Sequence, residues 1–364
     1  MRIASRQIGD SAPVYIIAEI GVNHDGSPDR ARRLIEAAAG AGADAGKFQF
    51  FRTALLMSRA ACLAAYQKAA GEQDPVAMLR RLELSIDQMG PLVSCAHALG
   101  VHAVVTVFSL ELVAEAQRLP WDAYKTASPD IVHRPLLEAL GATGRPLIVS
   151  TGAAELAEVR RAVDWLAPAR DRLALLQCVS NYPTRAEDAS IGGMEALREL
   201  PGLRARVGYS DHTREVDTGQ VAADAGACIL EKHFTYDTNA PGPDHAASLE
   251  PGEFRRYAEL ARDASTLRLR VGVEGPTARD ARLGPPVKRV LECERDVRAV
   301  SRQSITTRRA FRPGATIQAE DLTFKRPGTG LAPFRLAEVL GRRILRPVDA
   351  DMPLMPADVE GIGS

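Results

Sequence analysis

Two lysines stand inside otherwise apolar runs, Lys47 in AGKFQF and Lys125 in AYKTA. A buried ammonium with no anion costs on the order of several kcal/mol or sheds its proton, so each of these lysines requires a negative partner. That partner is either a carboxylate of the chain or a ligand. Hydroxyl residues recur near the ends of comparable runs at Thr106, Ser128, Ser150 and Ser210. Two ammonium groups within such a ring make a set of donors suited to a phosphate dianion. His212 in GYSDHT and His233 in LEKHFT end two adjacent runs, with Glu231 and Asp244 near them in sequence. Two imidazoles so placed can share a divalent cation and leave its other positions to substrate oxygens, which is the requirement of a Lewis-acid site. The pair lacks the H-E-x-x-H spacing of a helical zinc site. Glu19, ending VYIIAEI, either orients a substrate hydroxyl or balances Lys47. His97, His102 and His133 read as solvated or structural, and His245 has a weaker claim than His212 and His233. The glycines from Gly21 to Gly26 match no Walker or Rossmann pattern and read as a tight loop without a nucleotide.

A scaffold must bring these residues together. From residue 15 to about 267, short apolar runs alternate with amphipathic segments such as SPDRARRLIEAAAGAG, the pattern of repeated βα units around a parallel sheet. The runs are VYIIAEI, AGKFQF, VHAVVTVF, AYKTA, PLIVST, LALLQC, RVGYS and ACILEKHF. Eight of them predict a (β/α)8 TIM barrel, and the count is what separates this fold from a doubly wound open sheet. Active sites in such barrels lie where the strands end. Here those ends carry Glu19, Lys47, Gln49, Thr106, Lys125, Ser150, Ser180, Asn181, Tyr182, Ser210, Asp211, His212, Glu231, Lys232 and His233, all predicted to converge on one mouth.

Residues 1–267 are therefore expected to form the barrel, 268–300 a linker rich in Arg, Gly and Pro, and 301–364 a small domain of short strands and turns. Lys plus Arg equals Asp plus Glu at 46 each, so no global field recruits nucleic acid or an acidic membrane. No run near 18 apolar residues occurs, and the chain is expected to be cytoplasmic. The five cysteines form no C-x-x-C pair; Cys178 and Cys228 sit in apolar runs and read as buried small hydrophobes.

Taken together, AEIGVNHDG, KFQFF, YKTAS, STG, CVSNYPT, GYSDHT, LEKHFT and GPDHAASLEP closely resemble the sialic acid synthase family, whose members make N-acetylneuraminic acid and relatives such as legionaminic and pseudaminic acid. FRPGATI, DLTFKRPGTGL and GRRILRPVDADMPL look like that family's antifreeze-like (SAF) domain. The resemblance spans nearly the whole chain. It implies that Lys47, Thr106, Lys125, Ser128, Ser150, Ser180 and Ser210 hold phosphoenolpyruvate, and that His212 and His233 bind a divalent Mn2+, Mg2+ or Co2+. It further implies that Glu19, Gln49, Tyr182 and Asp244 contact an N-acylated amino sugar, with Glu19 and Glu231 as the catalytic acids. Arg326 matches an arginine supplied by the partner's SAF domain in a domain-swapped homodimer. Ser180 stands where neuraminate-forming members often carry Asn, Gly46 replaces a usual valine, and Val107 stands where proline is common. Two other readings are a 3-deoxy-ulosonate phosphate synthase and a catalytically inactive sugar- or phosphate-binding barrel.

Overall fold

In a strand, successive side chains face opposite sides, so a barrel strand that packs helices outside and a core inside must satisfy both faces. The eight predicted runs do so. A computed structural model describes residues 1–271 and 280–363, and in it these runs form a closed parallel barrel. Its strands are β1 (Tyr15–Gly21), β2 (Ala45–Phe50), β3 (His102–Val107), β4 (Ala123–Thr126), β5 (Leu147–Ser150), β6 (Leu173–Cys178), β7 (Val207–Asp211) and β8 (Ile229–His233). Strand β8 pairs with β1 and closes the ring, with Glu231 opposite Ile17 and His233 opposite Glu19.

Residue parity sets what fills the barrel. Tyr15, Ile17, Ala45, Val104, Ala123, Ile148, Ala174 and Ile229 form an apolar interior floor. Two positions further along six of these strands come Glu19, Lys47, Thr106, Lys125, Ser150 and Glu231, so the same inward register that builds the floor lifts a polar layer above it. The alternate residues, among them Phe48, Val105, Tyr124, Val149 and Tyr209, pack outward against the helices. Below the floor a short hairpin pairs Arg2–Ile3 with Arg6–Gln7, and Ile3 and Ile8 plug the barrel's base.

After β2 the chain makes three short helices, Thr53–Leu56, Ala65–Ala69 and Pro75–Leu82, before the helix Ile86–Ala98. Their apolar residues join Val22, Phe51 and Phe108 in a small cluster over one side of the mouth. The helix after β8 runs Pro251–Val271, past the residue where the linker was expected to begin. Residues 272–279 of that expected linker lie outside the described residues. From 280 the chain packs along the barrel and forms the helix Arg295–Ser301.

The small domain pairs β9 (Ser304–Thr307) with β10 (Leu322–Lys325) antiparallel around a core that includes Ile305, Phe311, Ile317, Phe324, Val339 and Leu354. It sits on the barrel of its own chain. The Arg326 N–H donates to the Leu56 carbonyl at 2.8 Å, Ser58 Oγ donates to the Arg326 carbonyl at 2.7 Å, and Gln303 Nε2 donates to the Phe108 carbonyl at 2.8 Å. In the single chain these backbone bonds bring Arg326 to the mouth of the same polypeptide.

Candidate active site

One pocket at the barrel mouth is lined by every predicted site residue: Glu19, Lys47, Gln49, Thr106, Lys125, Ser128, Ser150, Ser180, Tyr182, Ser210, His212, Glu231, His233, Asp244 and Arg326. At its base Lys47 forms an ion pair with Glu19 and donates to Thr106 Oγ1 at 3.1 Å. Gln49 Nε2 donates to the other oxygen of Glu19, Oε1, at 2.8 Å. Lys125 Nζ lies 3.2 Å from Glu231 Oε1, which also accepts from Ser210 Oγ at 3.1 Å. Both lysines thus have carboxylate partners in the chain, and the two pairs share one buried network through a 3.9 Å approach of Lys47 to Glu231.

Burial acts on these groups in opposite senses. It pushes the Glu19 carboxyl up, against the pull of Lys47, and it pushes the Lys125 ammonium down, against Glu231. It also disfavours charge on Lys47 and Glu231, yet at Lys47 the carboxylates outweigh it and hold the pKa high, and at Glu231 the two lysines hold it low. An acid raised and a base lowered within one network can exchange protons at low cost. Ser150 Oγ and Ser180 Oγ are buried without a hydrogen-bond partner among the described residues. Unpaired buried hydroxyls are costly and call for an acceptor from a ligand.

The histidines face each other, with ring centroids 5.3 Å apart, and Tyr182 covers both at 4.2 Å from His212 and 5.7 Å from His233. His212 Nδ1 donates to the Val179 carbonyl at 2.6 Å, which leaves Nε2 as the ring's acceptor nitrogen, 3.4 Å from Ser210 Oγ. Burial lowers the His212 pKa to about 4 and that of His233 well below its ordinary value, so both rings are neutral near pH 7. His233 Nδ1 has no hydrogen-bond partner among the described residues and lies 3.6 Å from Asp244 Oδ2. Among the described residues no group of three or more His, Cys, Asp and Glu is gathered as a metal cage. Two neutral imidazoles, each with a nitrogen lone pair to offer, fit a cation that takes its remaining ligands from substrate and water, not a closed structural site.

The outer wall was not foreseen from the sequence. Tyr66, Gln67, Met78 and Leu79 come from the short helices after β2 and line the pocket with Val22, Phe51, Leu56 and Phe108. Tyr66 packs against Tyr182 with ring centroids 5.0 Å apart and planes tilted by 37°, and the Arg326 guanidinium lies 5.6 Å over Phe108 with its Nε buried and unpartnered among the described residues. Strand-end residues of the wrong parity turn away. Lys232 pairs with Asp211 Oδ2 at 3.1 Å, facing the helix layer 5.7 Å from the Tyr257 ring. His245 also stays outside the pocket, with Nε2 on Asp25 Oδ1 at 3.0 Å and Nδ1 on Thr235 Oγ1 at 2.7 Å, tying the loop after β1 to the loop after β8. His97 pairs with Asp122, His102 with Tyr15, and His133 accepts from the Leu136 N–H at a helix start.

A closed barrel, a polar mouth and a docked cap define an enzyme of the (β/α)8 class whose pocket is completed from a second domain. The chain belongs to the NeuB family: the family pattern matches residues 34–271, and a SAF domain matches 302–360. It is 37% identical to the N,N'-diacetyllegionaminic acid synthase of Legionella pneumophila, over 97% of this chain and 96% of that protein. It is 31% identical to the mouse N-acetylneuraminate-9-phosphate synthase, over 98% of this chain and 95% of that one. The crystal structure of a Bacillus subtilis spore coat polysaccharide biosynthesis protein superposes with a TM-score of 0.84 at 30% identity, covering 99% of this chain and 98% of that one. No helix among the described residues is long and apolar enough to cross a membrane.

Proposed function

We propose that the chain condenses phosphoenolpyruvate with the open-chain aldehyde of an N-acylated amino sugar, either N-acetylmannosamine or a 2,4-diacetamido relative, to give a nonulosonic acid and phosphate. The observation that carries this reading is the pairing, in one pocket, of two buried lysines and unpartnered serine hydroxyls at the base with two neutral histidines beside them. Lys47, Lys125, Thr106, Ser128, Ser150, Ser180 and Ser210 hold the phosphate and carboxylate of phosphoenolpyruvate. His212 and His233 would hold a divalent cation, which when bound supplies Lewis-acid polarisation of the sugar aldehyde. Gln49, Tyr182, Asp244 and Arg326 orient the sugar, Arg326 by donating to its acyl carbonyl. C3 of phosphoenolpyruvate forms the new bond to the aldehyde carbon, and the aldehyde oxygen takes a proton. Water then adds at C2 and gives up a proton, and the C2–O bond to phosphate breaks to leave the ketone. Glu19 and Glu231, linked through the lysines, relay these protons.

The pocket also bears on the choice of sugar. With both histidines neutral, its cationic side chains are Lys47, Lys125 and Arg326, while its outer side is walled by Val22, Phe51, Leu56, Met78, Leu79 and Phe108. An apolar wall accepts acyl and deoxy methyl groups, and with Arg326 given to the acyl carbonyl no other cationic side chain of the pocket's outer side is left for a second phosphate. This favours a neutral sugar over a sugar phosphate, and so opposes the 3-deoxy-ulosonate phosphate synthase reading. Phosphate release from phosphoenolpyruvate, measured across neutral and phosphorylated sugars with and without acylamino groups, tests both points. Turnover confined to neutral acylamino sugars is expected. Turnover with phosphorylated sugars alone would overturn the substrate assignment, and no turnover with any sugar and metal would leave only the inactive-barrel reading.

A further inference from the structure

A carboxylate from outside the barrel strands reaches behind the phosphate end of the pocket. Glu294 is fully buried and immediately precedes the helix Arg295–Ser301 that leads into the small domain. Its Oε1 accepts from the Ala153 N–H at 2.6 Å and from the Ser180 N–H at 2.7 Å, while Oε2 accepts from the Leu291 N–H at 2.9 Å. Ala153 follows β5 and Ser180 follows β6, so one oxygen ties together two loops of the mouth. The Ala153 carbonyl is held from the same side: Arg298 donates to it at 2.6 Å and Arg302 at 3.1 Å, and both arginines also bond to Glu158. Residues 294–302 therefore grip both polar groups of one peptide position, whose φ of 50° an alanine keeps only when its surroundings dictate it.

What this grip holds in place is the hydroxyl array. Between β5 and Ala153 stands Gly152, whose N–H donates to Ser128 Oγ at 3.0 Å. A Cβ there would lie 2.3 Å from Ser180 Oγ and 2.9 Å from Ser128 Oγ, so the glycine lets the two hydroxyls close in on the loop that Glu294 fixes. We propose that Glu294 is a positioning residue for phosphoenolpyruvate, through which docking of the small domain sets the geometry of the phosphate cradle. The proposal rests on the functional reading above. Pinned loops lose no further freedom when the ligand arrives, and by reciprocity the bound ligand strengthens the docking.

The test measures phosphoenolpyruvate affinity by calorimetry without sugar, steady-state kinetics, and amide exchange at Ala153 and Ser180. Glu294→Ala is expected to weaken affinity by about tenfold or more, the ordinary range of coupling between sites. The KM for phosphoenolpyruvate rises with it, while kcat and the sugar KM move by less than about threefold. Exchange at both amides quickens. Glu294→Gln keeps an oxygen that can accept both N–H bonds and is expected to recover most of the loss. The Arg298→Ala/Arg302→Ala variant leaves Glu294 in place and is expected to show the same weakened affinity and faster exchange; it decides the matter if Glu294→Ala does not fold. Wild-type affinity or wild-type amide protection in folded Glu294→Ala, or in the arginine variant, overturns the proposal alone. A wild-type chain that binds no phosphoenolpyruvate overturns the functional reading and the proposal with it.

Discussion

Glu19 had two readings from sequence, a substrate contact and a counter-charge for Lys47, and its position is compatible with both because the ion pair itself lines the pocket. This changes what a lysine substitution does. Removing Lys47 or Lys125 takes away a charge-assisted bond to the ligand and also strands a buried carboxylate, Glu19 or Glu231. Lys47→Met and Lys125→Met are each expected to weaken phosphoenolpyruvate binding by about 1.5 to 3 kcal/mol, roughly 10- to 150-fold, as read by calorimetry. Unchanged affinity in both would contradict the cradle. His212→Ala and His233→Ala are each expected to abolish turnover while circular dichroism and melting stay near wild type, because neither ring belongs to the apolar floor or the helix layer. Full turnover of the wild type in excess chelator would contradict the role given to the pair.

At the scale of elements, the barrel was legible because each of its strands is an apolar run with a polar end, and inward and outward positions alternate strictly. The same alternation carried information that a list of polar strand ends passes over. Glu231 and His233 share a parity and face the mouth, whereas Lys232 between them must face the helices, where it meets Asp211. Tyr66, Gln67 and Met78 were not legible, since they lie on helices of only five and eight residues, too short to show a period. Glu294 was hidden for a different reason. Its segment is rich in Pro and Arg and reads as a linker, and only tertiary packing shows that its carboxylate reaches the loops after β5 and β6. The clasp around Glu158 carries a prediction at this scale. Burial alone would raise that carboxyl, but hydrogen bonds from Arg302 and Arg298 outweigh it and hold the pKa down to about 2 from an ordinary 4.5. A depressed acid stabilises the folded state in full above its unfolded pKa and loses that contribution as pH falls through the folded one. Glu158→Gln is therefore expected to lower the wild type's stability near pH 7 by about 1 to 2 kcal/mol after screening. The difference should shrink as denaturation is repeated from about pH 5 towards pH 2. A difference constant across that window would contradict the clasp.

For the molecule as a whole, the pocket is finished only when the small domain docks and brings Arg326 over Phe108. Arg326→Ala is expected to raise the sugar KM at least about tenfold while barely moving that of phosphoenolpyruvate, since the guanidinium faces the outer half of the site. In the arrangement of the single chain, Arg326 and Lys125 of one polypeptide serve one mouth. Mixing Arg326→Ala with Lys125→Met chains decides which mouth each Arg326 serves: recovered activity after subunit exchange shows a domain-swapped homodimer making the same contacts between two chains, and no recovery shows that each chain completes its own pocket. The central claim, that this mouth joins phosphoenolpyruvate to an amino sugar, is tested most directly with phosphoenolpyruvate carrying heavy oxygen in the bridge between C2 and phosphorus. Incubated with a divalent metal and neutral acylamino sugars, the enzyme is expected to release one labelled phosphate for each molecule of nonulosonic acid formed, with the acid unlabelled at C2. Phosphate released without sugar, label retained in the acid, or no product of combined mass would contradict it.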